Sequence, residues 1–546
     1  MKHRVKIEDA KDRGYAPPGR TPREDTASVM KFYKLPHSFP KDVTEEVGRL
    51  QFGVCSCSDR EEKRLDLRKK FIFTCDPEKA RDFDDALSLW KDSLGRRVLG
   101  IHIADVSHYV TPGSAMDREA QKRSTSVYLA DRVVPMLPEA LSNGICSLAP
   151  GEDRLTFSVF ITYSRAGEPV KCKFAKSIIN SKARFTYEQV EGIIKGQGIV
   201  SGLQVAVGSR ENGDANHQAV KPANLKTVKA ISDLAQQLRA KRFAAGALDL
   251  EVPQTEVSLD DDGEMNGIVT YPYDESHQMV EECMVAANEA VAKELWTNGV
   301  KIIARYHDAP DPEKLMLLRE EVRPLGIHCG NLENQKVFAQ FMQSIKSKPL
   351  YPTLAVMILR SMKRAIYDSA NMGHWGLAKR FYAHFTSPIR RYPDLTLHRQ
   401  LTAYLEAKAA KKGERVTTAH RVDANTLAKW ASHATQMEER ATEAERSLLE
   451  IKKYRLLEEE LASRTPVDYD AVISKCERFG CFVDVPSIGV SGLVHISAIS
   501  RKFVRYNQYD HTLSAPGNES WKIGDVLRVR VAKVDFKNRR IDFTAV

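Results

Sequence analysis

The 546-residue chain is conspicuous first for what it lacks. No apolar run approaches the roughly 20 residues that a membrane-spanning helix needs, so a spanning role is excluded by the sequence reading. The first residues, MKHRVKIEDAKDRG, have no apolar stretch and do not read as a secretory signal, which places the chain in the cytoplasm. Nine cysteines are present, an odd number, and none stands in a CxxC pair. Cys55 and Cys57 are the closest two, and one intervening residue is poor spacing for zinc. The cysteines therefore read as reduced, mostly buried thiols. There is no internal repeat and no low-complexity tract beyond AKAAKKGER.

What is present is an ordinary globular composition, 42% hydrophobic and 28% charged, with a net charge of +10. Against that basic background stands one acidic run, DPEKARDFDD, with aspartates at 76, 82, 84 and 85. Their spacing is too irregular for one face of a helix or a strand and suits a loop that folds back. Carboxylates brought together repel unless a cation sits among them, and hard oxygen donors of this kind suit magnesium or manganese rather than zinc. Such a site fits phosphodiester hydrolysis, with the basic surface drawing in a polyanion. The stretch DDDG at 260–263 is a useful contrast. It separates two alternating segments and reads as a hairpin turn.

Along the chain, residues 1–63 read as a polar lead-in with a short helix near Asp42–Arg49, because APPGRTPRED and LPHSFP break helices. Residues 64–405 mix strands, expected at Val98–Ala104, Leu155–Tyr163 and Val170–Ile179, with helices at Leu225–Arg242, Gln278–Trp296 and Thr353–Ala370. Residues 406–465 form a helical extension. There Leu427, Ala431, Ala434, Met437, Ala441, Ala444 and Leu448 recur at steps of three and four. Residues 466–546 carry five short strands, AVISKC, GCFVDV, GLVHIS, VLRVRVAKV and RRIDFTAV, which suit an OB-type barrel. The fold class is therefore α+β, followed by a small β-barrel.

Several long stretches share one resemblance. DPEKARDFDDAL, GIHIADVSHYV, RSTSVYLADRVVPMLPEALSNGICSLAPGEDRLTFSV and HFTSPIRRYPDLTLHRQL occur in that order, and the terminal barrel carries GLVHIS and IGDVLRVRVAKVDFKNRRIDF. With VEECMVAAN and RYHDAPDPEKL, they resemble the RNB family of exoribonucleases, its ribonuclease R branch more than its ribonuclease II branch. The resemblance runs from about residue 30 to the end. It implies a processive 3′-to-5′ hydrolase that releases nucleoside 5′-monophosphates from single-stranded RNA, with an RNB catalytic domain and a C-terminal S1-type RNA-binding barrel.

Carried over residue by residue, the resemblance implies that Asp76, Asp82, Asp84 and Asp85 hold magnesium, or manganese in its place. Asp84 is assigned the most demanding role, against the reading that it only braces the other acids; Asp85 and Arg390 complete the catalytic set. Arg390 would bind the scissile phosphate, against the alternative of a structural arginine paired with Asp394. Tyr128 would stack on the 3′-terminal base, against a place in the core. A helical glutamate is expected near the 3′ end. Glu438, Glu439, Glu443 and Glu445 are available; Glu445 lies nearest the apolar stripe and is the better candidate, with Glu443 as the alternative that a ribonuclease R-like alignment would favour. In the barrel, Phe479, Phe482 and His495 are candidates for base stacking, the two phenylalanines being equally eligible for the core. Seven basic against three acidic side chains from Lys522 to Val546 suit phosphate contact.

There are departures from the family. Leu250 stands where an aromatic often follows ALD, and the lead-in is too short for the cold-shock barrels that precede the catalytic region in ribonuclease R-like proteins. The chain thus reads as a short form or a fragment. Single-stranded RNA is the expected partner, with the ribosome or RNA-decay factors as further candidates and a monomer as the favoured state. The rival reading is a catalytically degenerate RNA-binding protein on the same scaffold.

Overall fold

A computed structural model describes residues 15–50, 64–197, 204–209, 215–219, 221–249, 254–271, 273–348, 351–410, 422–463 and 466–546. Cys55, Cys57 and Leu250 lie outside the described residues.

The larger part is organised by a nine-stranded sheet whose centre is an antiparallel meander of Asp85–Lys91, Arg97–Ala104, Asp153–Tyr163 and Pro169–Asn180. Alternation along these strands sends residues to opposite faces. Leu87, Leu99, Ile101 and Phe157 join one core with Val228 and Ile231 of helix Pro222–Ala244 and Met279 and Leu295 of helix Glu275–Thr297. Ala86, Val98 and Phe160 face the other way, against Met116, Leu137 and Leu141. Helix Tyr392–Ala409 serves both layers, with Tyr392 and Leu395 in the second core and Leu397 and Leu401 in the first. Its first turns, Tyr392 to Ala403, are buried on all sides and so need no amphipathic stripe.

The strand Phe73–Cys75 lies beside Asp85–Lys91, with Phe73 opposite Leu87. The acidic run is the connection between these two neighbouring strands, which is why its two ends return to one place. DDDG is a turn as expected: it joins Gln254–Leu259 to Met265–Tyr271, and Asp260 closes it by accepting the Asp262 N–H at 2.9 Å.

Two expectations need correction. The helix expected over Thr353–Ala370 ends at Ser361, and Ile366–Asp368 pairs as a strand with Ala304–Tyr306. Pairing of Ile366 with Tyr306, and a hydrogen bond from the Tyr367 N–H to Thr435 Oγ1, override the local helical pattern. The lead-in holds a second helix, Asp25–Phe32, between the two proline-rich breakers. Its Val29 and Met30 pack on Ala441, Ala444 and Leu448 of the long helix Ala424–Ala462. Its buried Asp25 pairs with Lys452 and Arg455 at 3.1 and 2.7 Å.

At the C-terminus, Asp468–Glu477, Gly480–Val485, Val490–His495, Val526–Asp535 and Arg540–Ala545 close into a five-stranded barrel. An additional three-stranded sheet, Arg505–Asn507, Thr512–Ala515 and Glu519–Trp521, lies in the long connection and was not expected. Arg539 ties the barrel to Glu450 of the long helix. Among the described residues, no helix is long and apolar enough to cross a membrane. The described cysteines are all free thiols; Cys172 is exposed and Cys329 half-buried, and the rest are buried.

Candidate active site

The acidic connection brings its carboxylates to the edge of the buried sheet. Asp85 opens a central strand opposite Ile103, and the Asp76 N–H donates to Phe185 O at 3.1 Å. Asp84 is only 5% exposed. Its Oδ1 accepts the Ile389 N–H at 3.1 Å, and Arg390 Nε lies 3.4 Å from its Oδ2. Asp82 Oδ2 accepts the Tyr128 hydroxyl at 3.0 Å.

Burial disfavours charge on these acids. It pushes Asp84 up to about 8, against the lowering field of Arg390 and with help from the negative charge of Asp82. It pushes Asp85 up to about 6, opposed by Arg390 and Arg391. Asp76 is raised well above the carboxylate range by burial first and by Asp85 second. Asp76 Oδ2 is buried, and beyond the neighbouring Thr74 hydroxyl, which lowers its pKa, it has no hydrogen-bond partner.

The expected convergence is therefore partial. Among the described residues, no three His, Cys, Asp or Glu side chains are gathered into a ready-made metal cage. The physical reason is that two of the four acids are spoken for inside the protein, Asp84 by the Ile389 amide and Arg390, and Asp82 by Tyr128. The donor set nevertheless fits a hard divalent cation. All four donors are carboxylates, a buried oxygen of Asp76 has accepting capacity to spare, and burial makes three of the acids resist ionisation.

The two arginines of SPIRRYPD separate cleanly. Arg391, not Arg390, pairs with Asp394, at 2.8 Å, so the structural alternative for Arg390 is overturned. Asp394 sits in the first turn of helix Tyr392–Ala409 and also accepts the Ser387 N–H at 2.8 Å. Ser387 Oγ in turn accepts from Arg390 Nη2 at 3.0 Å. Sequence reasoning missed this bracing by Ser387 and Asp394. Their positions flanking the arginines were visible, but which arginine each would meet was not. Arg390 keeps a side chain 41% exposed beside nearly buried Asp84, an arrangement able to receive an anion.

Tyr128 is brought to the same place from a different segment. The Ser126 N–H donates to Arg390 O at 3.0 Å, and Thr125 bridges to Arg391. The Tyr128 ring is not in the core: the residue is 41% exposed. Its backbone N–H donates to Glu445 Oε1 at 2.8 Å, which joins Glu445 to the cluster; Glu443 faces a separate cavity with Tyr15 and Tyr33.

Phe479, Phe482 and His495 lie on the barrel. Both phenylalanines are on its surface rather than in its core, 46% and 37% exposed, with ring centroids 6.0 Å apart and edge to face. His495 opposes Gly480 across the strands, and its Nδ1 caps the short helix Ile496–Ile499 by accepting the Ser497 N–H. Of the seven C-terminal cations, three are committed internally: Arg528 and Arg530 to Asp468, and Arg539 to Glu450. The excess available for phosphate is smaller than composition suggests.

Comparison with known proteins agrees with this layout. The family model for the RNB domain matches residues 64–407, and that for the S1 RNA binding domain matches 468–545. Ribonuclease R of Thermotoga maritima is 37% identical over 544 residues, covering 96% of this chain and 71% of the relative. Ribonuclease R 1 of Lactococcus lactis is 34% identical over 532 residues, and there the chain spans only 60% of the relative. The structure of Mycoplasma genitalium RNase R in complex with ribose methylated single-stranded RNA superposes with a TM-score of 0.82 at 28% identity, covering 96% of this chain and 78% of that one.

Proposed function

The chain belongs to the RNB family, and from that premise we propose that it is a processive 3′-to-5′ exoribonuclease hydrolysing single-stranded RNA to nucleoside 5′-monophosphates. One observation carries the reading. Asp82, Asp84, Tyr128, Arg390 and Glu445 come from four remote stretches of sequence, yet four short contacts link them into one cluster.

Each residue has a task that its geometry allows. Arg390 takes a phosphate oxygen and offsets charge that grows during hydrolysis. Tyr128 offers its ring to the last base, while its hydroxyl and backbone N–H stay anchored to Asp82 and Glu445. Asp76, Asp82, Asp84 and Asp85 hold a divalent metal, magnesium first and manganese as a substitute. When bound, that metal polarises the phosphate and makes water a better nucleophile. Asp84 retains its proton near neutrality while no cation is present, so metal binding releases protons and strengthens as pH rises. Phe479, Phe482 and His495 grip RNA farther from the cut, on the barrel surface. Single-stranded RNA is the partner in this reading, with the ribosome or RNA-decay factors as further partners, and a cytoplasmic monomer as the acting form.

The test is degradation of 5′-labelled single-stranded RNA with magnesium and with chelator. Stepwise loss from the 3′ end with magnesium alone supports the reading. Tight RNA binding without metal-dependent cleavage supports the degenerate scaffold instead.

A further inference from the structure

The barrel contains a pair of groups that the proposed hydrolysis does not use. Cys476 and Cys481 stand directly opposite each other in neighbouring antiparallel strands, with Sγ atoms 3.5 Å apart. Both are fully buried, and both are free thiols. Opposed antiparallel residues have Cα atoms about 4.5–5.5 Å apart, within the roughly 4.4–6.8 Å that a disulfide spans. The pair closes the base of a hairpin whose turn is Arg478-Phe479, with Glu477 paired to Gly480. Phe479 lies inside this loop and Phe482 directly follows Cys481. A side chain at Gly480 would place a Cβ 2.2 Å from Val494 O, so the turn has little room to rearrange.

We propose that Cys476 and Cys481 are a reversible dithiol–disulfide pair that closes under a peroxide and clamps the hairpin carrying Phe479 and Phe482. The effect on RNA rests on the reading of those two rings as an RNA surface; the bond itself does not. The hydrogen bond between the thiols lowers the pKa of Cys476 and raises that of Cys481, so Cys476 supplies the first thiolate. Its sulfur attacks one peroxide oxygen and the O–O bond breaks. Cys476 becomes a sulfenic acid, and the departing hydroxide is protonated to water. Cys481 then attacks the Cys476 sulfur. The S–S bond forms, and the hydroxyl leaves as water with the Cys481 proton. In sum, two thiols and hydrogen peroxide give one disulfide and two waters, and a dithiol reductant reverses the change. Because both sulfurs are buried, the turn must open locally to admit the oxidant, which short hairpin ends do more readily than core strands. Exposed Cys172 needs no such opening to be alkylated and serves as an internal reference for labelling.

The experiment treats the full chain with hydrogen peroxide, alkylates remaining thiols, and maps the peptides. Single-stranded RNA affinity is measured by anisotropy in chelator before and after. The expected result is a cross-linked peptide joining Cys476 to Cys481, two hydrogens lighter and restored by dithiothreitol. Affinity should shift by at least about threefold, a fraction of the stacking energy of one base. C481S should accumulate a sulfenic acid at Cys476 and show no affinity shift; C476S should leave Cys481 unmodified. Two alkylated thiols after peroxide treatment, or disulfides to other cysteines, would overturn the pair, and the wild-type map gives that answer even if a variant folds poorly. A cross-link without any affinity shift would overturn the clamp. Failure of the untreated protein to bind RNA would instead strike the functional reading and leave the cross-link result standing.

Discussion

In the proposed reading, the aspartate cluster and the barrel surface meet RNA in opposite physical ways. At the cluster, charged side chains are buried, raised in pKa, and held by contacts that span hundreds of residues, such as Ile389 N–H to Asp84 and Tyr128 N–H to Glu445. On the barrel, Phe479 and Phe482 face water on one short hairpin and owe their position to local pairing. The difference teaches where sensitivity should lie. Groups that share one electrostatic balance depend on each other, so the loss of one is felt by all. Exposed rings on the barrel surface add affinity in small, separable steps.

The largest effect that separates the two regions is expected from Asp84→Asn. It keeps the shape and removes a charge from the cation site. Loss of several kcal/mol of transition-state stabilisation corresponds to at least about a thousandfold in rate. RNA binding should remain, and a rapid-quench assay beside a gel shift reads both. Arg390→Ala comes next. A donor aimed at developing charge is worth about 10²–10³ in kcat. The maximal rate should therefore fall more than the affinity does. A pure rise in KM would make Arg390 a docking residue and draw the cluster closer in kind to the barrel.

Tyr128→Ala should alter the end product more than the rate. The lost stack is worth about 1–3 kcal/mol, felt most by short RNA that has few other contacts. Limit products resolved by mass spectrometry should become longer. An unchanged length with reduced thermal stability would return Tyr128 to a packing role. Phe479→Ala should give the smallest effect, less than about tenfold in affinity for long RNA and none on the rate with short RNA.

The two regions should also differ in their response to pH. Asp84 and Asp85 are raised to about 8 and about 6, above their unfolded values. The folded state then binds more protons than the unfolded state between the ordinary carboxylate range and about pH 8, so stability falls as pH rises through that window. In chelator, the catalytic region's melting temperature should drop from pH 5 to pH 8, and a divalent metal should reverse much of the drop. D84N should flatten the slope. RNA binding at the barrel surface, which holds none of these acids, should not follow the same slope.

Legibility in the sequence divides along the same line. The acidic run was readable because apolar strands bracket it, and the five barrel strands because their apolar residues alternate. Phe479 and Phe482 could not be assigned to surface or core, since either face of a barrel strand accepts an aromatic. The sheet at residues 505–521 was missed because RYN, TLSA and ESW are too short and polar to show a period. The alternative that pairs Arg390 with Asp394 fails for a geometric reason: three residues along a helix start brings Asp394 to Arg391, and that frees Arg390 for Asp84. Facing cysteines five residues apart show no motif at all until the hairpin register sets them opposite each other.

The central claim is that the buried aspartates and Arg390 form a metal-dependent exonuclease site. Single-turnover digestion of a 5′-labelled single-stranded RNA tests it most directly, using wild type and D84N, each with magnesium or chelator. The account predicts nucleoside 5′-monophosphates and a short limit product from wild type with magnesium alone, while D84N shifts the RNA on a native gel without shortening it. Equal digestion by D84N, or full digestion by wild type in chelator, would contradict it.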